Sequence, residues 1–204
     1  MVKITAPPPL NIPNPIFLDL PRNASMFRIY NPTRYGQSCC AFRRFGPVAR
    51  FDHHRHPASS PGIDNDRGIY YAAPGFSCCI VEVFGDTGQI VCGDYHLALV
   101  RTTRNLRLLD LCGDAAMRAG TVAAIAKSDH TIAHAWSRYF YDESAFLAVD
   151  GLRYFNAHND EIAYALYERA EAALECVEVM RLDDPDLRSK LAFIAKRTNL
   201  LLSC

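Results

Sequence analysis

Six of the twelve prolines lie within the first 25 residues, at Pro7, Pro8, Pro9, Pro13, Pro15 and Pro21. Each fixes φ and removes a backbone donor, so this stretch can be neither a helix nor a central strand. Residues 1–25 are expected to form an extended arm, able to wrap the domain or to mediate self-association. Residues 26–204 are left to form one domain.

Within that domain the hydrophobic pattern changes period along the chain. Short alternating runs predict strands at Met26–Tyr30, Gly68–Ala72, Gln89–Cys92, Tyr95–Arg101, Leu106–Leu111 and Leu152–Phe155, with a short extended piece at Ala49–Phe51. His53–Arg67 is polar, contains Pro57, Pro61 and Gly62, and reads as a loop. Ser77–Phe84 is rich in β-branched residues, but Ser77 as N-cap and Gly85 as C′ residue favour a short helix. Helices are also expected at Ala115–Ala126, broken near Gly120, at Thr131–Tyr141, and from Pro185 behind an Asp184 cap. Glu161–Met180 places Ile162, Leu166, Ala170, Ala173, Leu174 and Val177 at helical spacing and is the clearest helix on this reading. Early strands with helices interleaved later make the class mixed α/β or α+β, with a small mixed sheet flanked by helices.

Composition excludes several functions. Half of the residues are hydrophobic, enough for one core. The 22 basic residues balance 22 acidic ones, so the basic footprint of a nucleic-acid binder is missing. No run is apolar and long enough to span a membrane, and residues 1–21 have no apolar core of a signal peptide, so a cytoplasmic protein is expected. The eight cysteines include the vicinal pairs Cys39–Cys40 and Cys78–Cys79, and neighbours in sequence seldom pair. Reduced, buried thiols are expected.

The familiar chemical signatures are missing: neither G-x-G-x-x-G nor G-x-x-x-x-G-K-[ST] nor G-x-S-x-G occurs. His53, His54 and His56 cluster beside Asp52, but their spacing fits no zinc site, and they read as solvated loop histidines with no metal expected. A dispersed polar set remains. Arg28 and Arg50 each neighbour apolar residues and could be surface ion-pair partners or ligand groups. Glu82, inside C-C-I-V-E-V-F, must be paired or functional, because an unpaired buried carboxylate is costly. Tyr70 and Tyr71 are aromatics of a kind that more often belongs to a core or interface than to a ligand platform.

The ordered segments F-R-I-Y, V-A-R-F-D-H-H-R and R-G-I-Y-Y-A-A-P-G-F-S-C-C-I-V-E-V-F-G-D, followed by D-G-L-R-Y-F and Y-A-L-Y-E-R-A, resemble the RES domain from about residue 26 to residue 175. By position, the resemblance implies Arg28, Arg50, Tyr71 and Glu82 as site residues, with Ser128 as the family serine. Asn156 stands at a second position where relatives often carry Ser; if that position is the essential one, activity is altered or lost. The resemblance further implies a fold like that of ADP-ribosyltransferases and a bacterial toxin that consumes NAD as substrate, held by an Xre-type antitoxin. Cleavage of the nicotinamide–ribose bond develops an oxocarbenium-like centre, which Glu82 could stabilise. Arg28 and Arg50 could grip the pyrophosphate, Tyr71 could stack on nicotinamide, and Ser128 could hold the carboxamide or a ribose hydroxyl. The acceptor could be water, phosphate or, in an ADP-ribosyltransferase, a protein. An inactive RES-like module that binds a partner is the non-enzymatic alternative, and a homo-oligomer is compatible with the Pro-rich arm.

Overall fold

The computed structural model describes residues 3–34 and 36–204. Strands β1 (Phe17–Leu20) and β2 (Ser25–Tyr30) come first. The two-residue strands β3 (Phe45–Gly46) and β4 (Gly62–Ile63) pair with each other and bracket an irregular segment. Then come β5 (Ile69–Ala72), helix α1 (Phe76–Phe84), β6 (Gln89–Val91), β7 (His96–Thr102) and β8 (Leu106–Asp110). Helices α2 (Asp114–Arg118) and α3 (His130–Asp142) precede β9 (Gly151–Phe155), β10 (Ile162–Tyr167) and β11 (Leu174–Arg181). Helix α4 (Arg188–Thr198) and β12 (Leu201–Ser203) finish the chain.

Two larger sheets carry this mixed α/β domain. One has the order β1-β8-β9-β10-β5 and the other β11-β7-β2. They meet where Phe27 and Ala73 exchange backbone hydrogen bonds of 2.7 and 3.0 Å, joining β2 to the end of β5. Side chains alternate between the two faces of each strand. Ile29, Ile69, Leu152, Ala163 and Ala165 join a large core that also holds the helices. Met26, Tyr30, Tyr70, Val100 and Leu166 join a second, smaller core on the opposite face. Gly151 is required where β9 passes β10: a Cβ there would collide with the Ala165 carbonyl and approach Leu166 Cα to 2.7 Å.

The arm is fastened to the domain. Phe17–Leu20 pairs antiparallel with β8 at the edge of the large sheet, and the buried indole of Trp136 donates to the Thr5 carbonyl at 2.8 Å. Among the described residues no helix is long and apolar enough to cross a membrane.

Two expectations are corrected. Glu161–Met180 is not one helix but β10, a 3-10 turn at Glu168–Ala173, and β11. Ile162, Leu166, Ala170 and Leu174 lie four apart, a step that satisfies a helical face and the two-residue strand period alike. Both faces of β10 are covered, so its polar alternation vanished. The cysteines are not all reduced: Cys39 pairs with Cys176 and Cys92 with Cys204, leaving Cys40, Cys78, Cys79 and Cys112 free. The partners lie 137 and 112 residues apart, so sequence proximity carried no information about them.

Candidate active site

Helix α1 supplies the first wall of a cleft at the junction of the two sheets. Its residues Cys78, Cys79, Ile80, Val81 and Phe84 are buried, while Glu82 faces out of the core. Gly75 rather than Ser77 occupies the N-cap, and the Ser77 hydroxyl instead donates to Glu161 at 3.1 Å. The helix C-terminus meets His158: a Cβ on Gly85 would lie 2.7 Å from the His158 Nε2 atom. The cleft is a narrow, partly open slot of about 50 Å³, and its wall includes Ile29, Tyr71, Cys79, Glu82, Tyr154 and Ala163. That is well below the roughly 300–1,000 Å³ typical of small-molecule sites, so the slot takes at most a fragment of a larger ligand.

Tyr71 is anchored from beneath. Its hydroxyl donates to Asp52 Oδ1 at 2.9 Å and accepts from the Phe51 amide at 3.0 Å. Asp52 is fully buried and receives both guanidinium nitrogens of Arg43, at 2.8 and 2.9 Å, and the Ala49 amide at 3.0 Å. Burial by itself would raise the Asp52 carboxyl, but the Arg43 charge and these hydrogen bonds outweigh it and hold the group below its ordinary value. The neighbouring loop is tied to α3, where His134 Nε2 meets the Ala49 carbonyl at 2.9 Å and the Ser137 hydroxyl donates to the Phe51 carbonyl at 2.6 Å. Arg50 extends from this clamped loop.

Glu82 accepts no hydrogen bond among the described residues. Solvent reaches it, yet the walls remove enough water for burial to raise its carboxyl, against the lowering influence of His158 and Arg50. Arg50 is thus near enough for its charge to act on Glu82, with no direct ion pair between them among the described residues. Tyr154, on β9, completes the wall, its ring 4.7 Å from that of Phe51.

The sequence-derived residues divide accordingly. Tyr71 and Glu82 line the cleft, and Arg50 lies close enough for its charge to act on Glu82. Ser128 contributes through its carbonyl, which accepts from Arg50, while its hydroxyl donates to the Ile125 carbonyl at 2.8 Å. Asn156 is buried behind α1, where its amide nitrogen meets Cys78 Sγ at 3.0 Å and its oxygen accepts from the amides of His158 and Asn159. Arg28 lies on the opposite sheet face. Its guanidinium sits 4.2 Å from the Tyr70 ring centroid and donates to the Ala41 carbonyl at 2.8 Å and to Gln37. It is 5% exposed, which rules out a surface ion pair.

His53 and His54 are not solvated loop residues: both are fully buried. His53 meets Glu168 at 3.0 Å, and His54 meets the Arg43 carbonyl at 3.2 Å. Among the described residues no group of three or more His, Cys, Asp or Glu is arranged to hold a metal ion. Sequence reasoning passed over Tyr154 and the Arg43–Asp52 pair. Tyr154 lay within the quoted D-G-L-R-Y-F segment, and Asp52 was visible only as a neighbour of the histidines.

A family model described as the RES domain matches residues 25–190. A chain in the crystal structure of the M. tuberculosis MbcT-MbcA toxin-antitoxin complex resembles this one with a TM-score of 0.56 and 19% identity, over 85% of this chain and 91% of that chain. At that identity the likeness is one of fold. No curated protein matches this chain.

Proposed function

The chain belongs to the RES-domain family, and from that premise we propose that it is an NAD-consuming toxin that cleaves the nicotinamide–ribose bond by hydrolysis or phosphorolysis. The supporting observation is a single cleft lined by both Tyr71 and Glu82, with the Arg50 charge beside them. Nicotinamide departs with the bonding electron pair, leaving an oxocarbenium-like ribose carbon. Glu82, which accepts no hydrogen bond among the described residues, is available to stabilise that positive charge and to accept from ribose hydroxyls. Arg50 is the cation available to the pyrophosphate, and water or phosphate then attacks the ribose carbon. Tyr71 offers the nicotinamide its ring, because its hydroxyl is occupied below.

In this reading Arg28 and Asn156 are positioning residues. Arg28 holds the segment from Gln37 to Ala41, and Asn156 braces α1 through Cys78. Asparagine at that position leaves the cleft wall intact, so nothing there argues for an inactive module. A protein acceptor remains the alternative on the same site. The resemblance to a toxin held in a toxin-antitoxin complex supports an antitoxin partner, proposed here as Xre-type.

The test is NAD loss in vitro by the parent and by Glu82→Ala, with and without phosphate. We expect loss by the parent and a drop of about 100-fold or more in the variant, the scale of removing one transition-state stabiliser. Dependence on phosphate identifies phosphorolysis. A folded parent that leaves NAD intact in both buffers refutes the proposal, unless label from NAD appears on protein, which identifies the transferase.

A further inference from the structure

The two cleft tyrosines differ in what their hydroxyls can offer. The Tyr71 hydroxyl donates to Asp52 and accepts from the Phe51 amide, so its donor is occupied. The Tyr154 hydroxyl has no hydrogen-bond partner among the described residues, although the residue is only 3% exposed. It is not among the polar atoms sealed away from solvent without a partner, so it opens onto the cleft that Tyr154 lines. A nearly buried phenol normally finds a partner, and here the only side open to one is the cleft, where a ligand can take the place of water.

The surroundings define that ligand. Ile29, Ala73, Val83 and Ala163 make the adjoining wall apolar, which suits a flat ring. Burial first, and then the negative charge of Glu82, hold Tyr154 far above the ordinary phenol value. The group is therefore a neutral donor across the physiological range and seeks an acceptor. Ribose hydroxyls can donate to Glu82, but a carboxylate on the ring would meet the Glu82 charge in a partly dehydrated space, where like charges repel strongly. An uncharged acceptor at the edge of a planar ring meets both conditions.

We infer that the Tyr154 hydroxyl donates a hydrogen bond to the carboxamide oxygen of the nicotinamide ring, and that the cleft thereby selects NAD over its acid counterpart, nicotinic acid adenine dinucleotide. This rests on the NAD-cleaving reading above. Tyr154 is a specificity residue here; Glu82 remains the group at the reacting carbon.

The experiment measures kcat/KM for both dinucleotides with the parent and with Tyr154→Phe. The substitution keeps the ring against Phe51 and breaks no hydrogen bond among the described residues, so the thermal midpoint is expected to stay within about a degree. The parent is expected to favour NAD at least about tenfold. The variant is expected to lose about tenfold on NAD, the scale of one hydrogen bond, with less than about twofold change on the acid form. Equal losses on both substrates would assign Tyr154 a structural role, and unchanged NAD kinetics would remove it from the site; either result overturns the inference while leaving the NAD reading intact. A parent that cleaves neither dinucleotide overturns the proposed function and this inference together.

Discussion

His54 has no exposed surface, and its imidazole is held neutral. Burial lowers its pKa to about 4, the nearby Asp52 opposing that shift only in part. In the unfolded chain the same group titrates near 6.5. Between those values the unfolded chain takes up a proton that the folded one refuses, so stability is complete above about 6.5 and falls as the pH drops toward 4. The loss amounts to about 3 kcal/mol for this residue. Buried His53 and His134, both also lowered chiefly by burial, act in the same direction. We predict that the urea midpoint falls between pH 7 and pH 5 and that His54→Gln flattens the decline; a constant midpoint in the parent would show that these histidines are not neutral in the fold. The burial was invisible in H-H-R-H, which reads as polar. Other residues were more legible. Tyr71 and Glu82 emerged only from the resemblance, because taken alone each pointed more to a structural role. Strand alternation in F-R-I-Y puts Arg28 and Ile29 on opposite faces, and Ile29 is the one that lines the cleft.

At the scale of elements, strands with one solvated edge or a clear turn beside them were readable: β2, β5, β7, β8 and β9 fall within a residue or two of the expected limits. Helix α1 was expected from Ser77 as N-cap and Gly85 as C′ residue against its β-branched interior; Gly85 does stand at its end, but Gly75 takes the N-cap. Strand β10 was unreadable because every side chain after Ile162 is buried, whichever face it points to. Its pairing with β9 tests the corrected assignment. Gly151→Ala drives a methyl into the Ala165 carbonyl, which is backbone and cannot rotate aside. We expect a destabilisation of about 1–3 kcal/mol, the range for overpacking, read as a thermal midpoint lower by roughly 2–4 °C per kcal/mol. A midpoint equal to the parent's would mean that β9 and β10 do not approach as described.

At the scale of the molecule, two disulfides close long loops. Cys39–Cys176 links the segment beside Arg28 to β11, and Cys92–Cys204 fastens the final strand, β12, beside its parallel partner β6. For loops of 137 and 112 residues the chain-entropy estimate is about 4–5 kcal/mol each, an upper figure where the reduced chain keeps structure. Thiol titration in denaturant without reductant is predicted to find the free thiols Cys40, Cys78, Cys79 and Cys112, and all eight after reduction. Reductant is predicted to lower the thermal midpoint; eight reactive thiols before reduction would place the protein in its dithiol form.

The anchoring of Tyr71 also governs how the cleft meets a ligand. With its hydroxyl held by Asp52 and the Phe51 amide, the ring has one orientation before anything arrives. The cleft floor is thus preorganised: no side-chain rotamer has to be frozen there on association, a saving of about 0.5–1.5 kcal/mol compared with a mobile aromatic. The same fixation limits accommodation. To move aside, the ring would have to give up its hydrogen bonds to Asp52 and the Phe51 amide, and Asp52 is itself held by Arg43, so the floor of the cleft resists adjustment to a ligand.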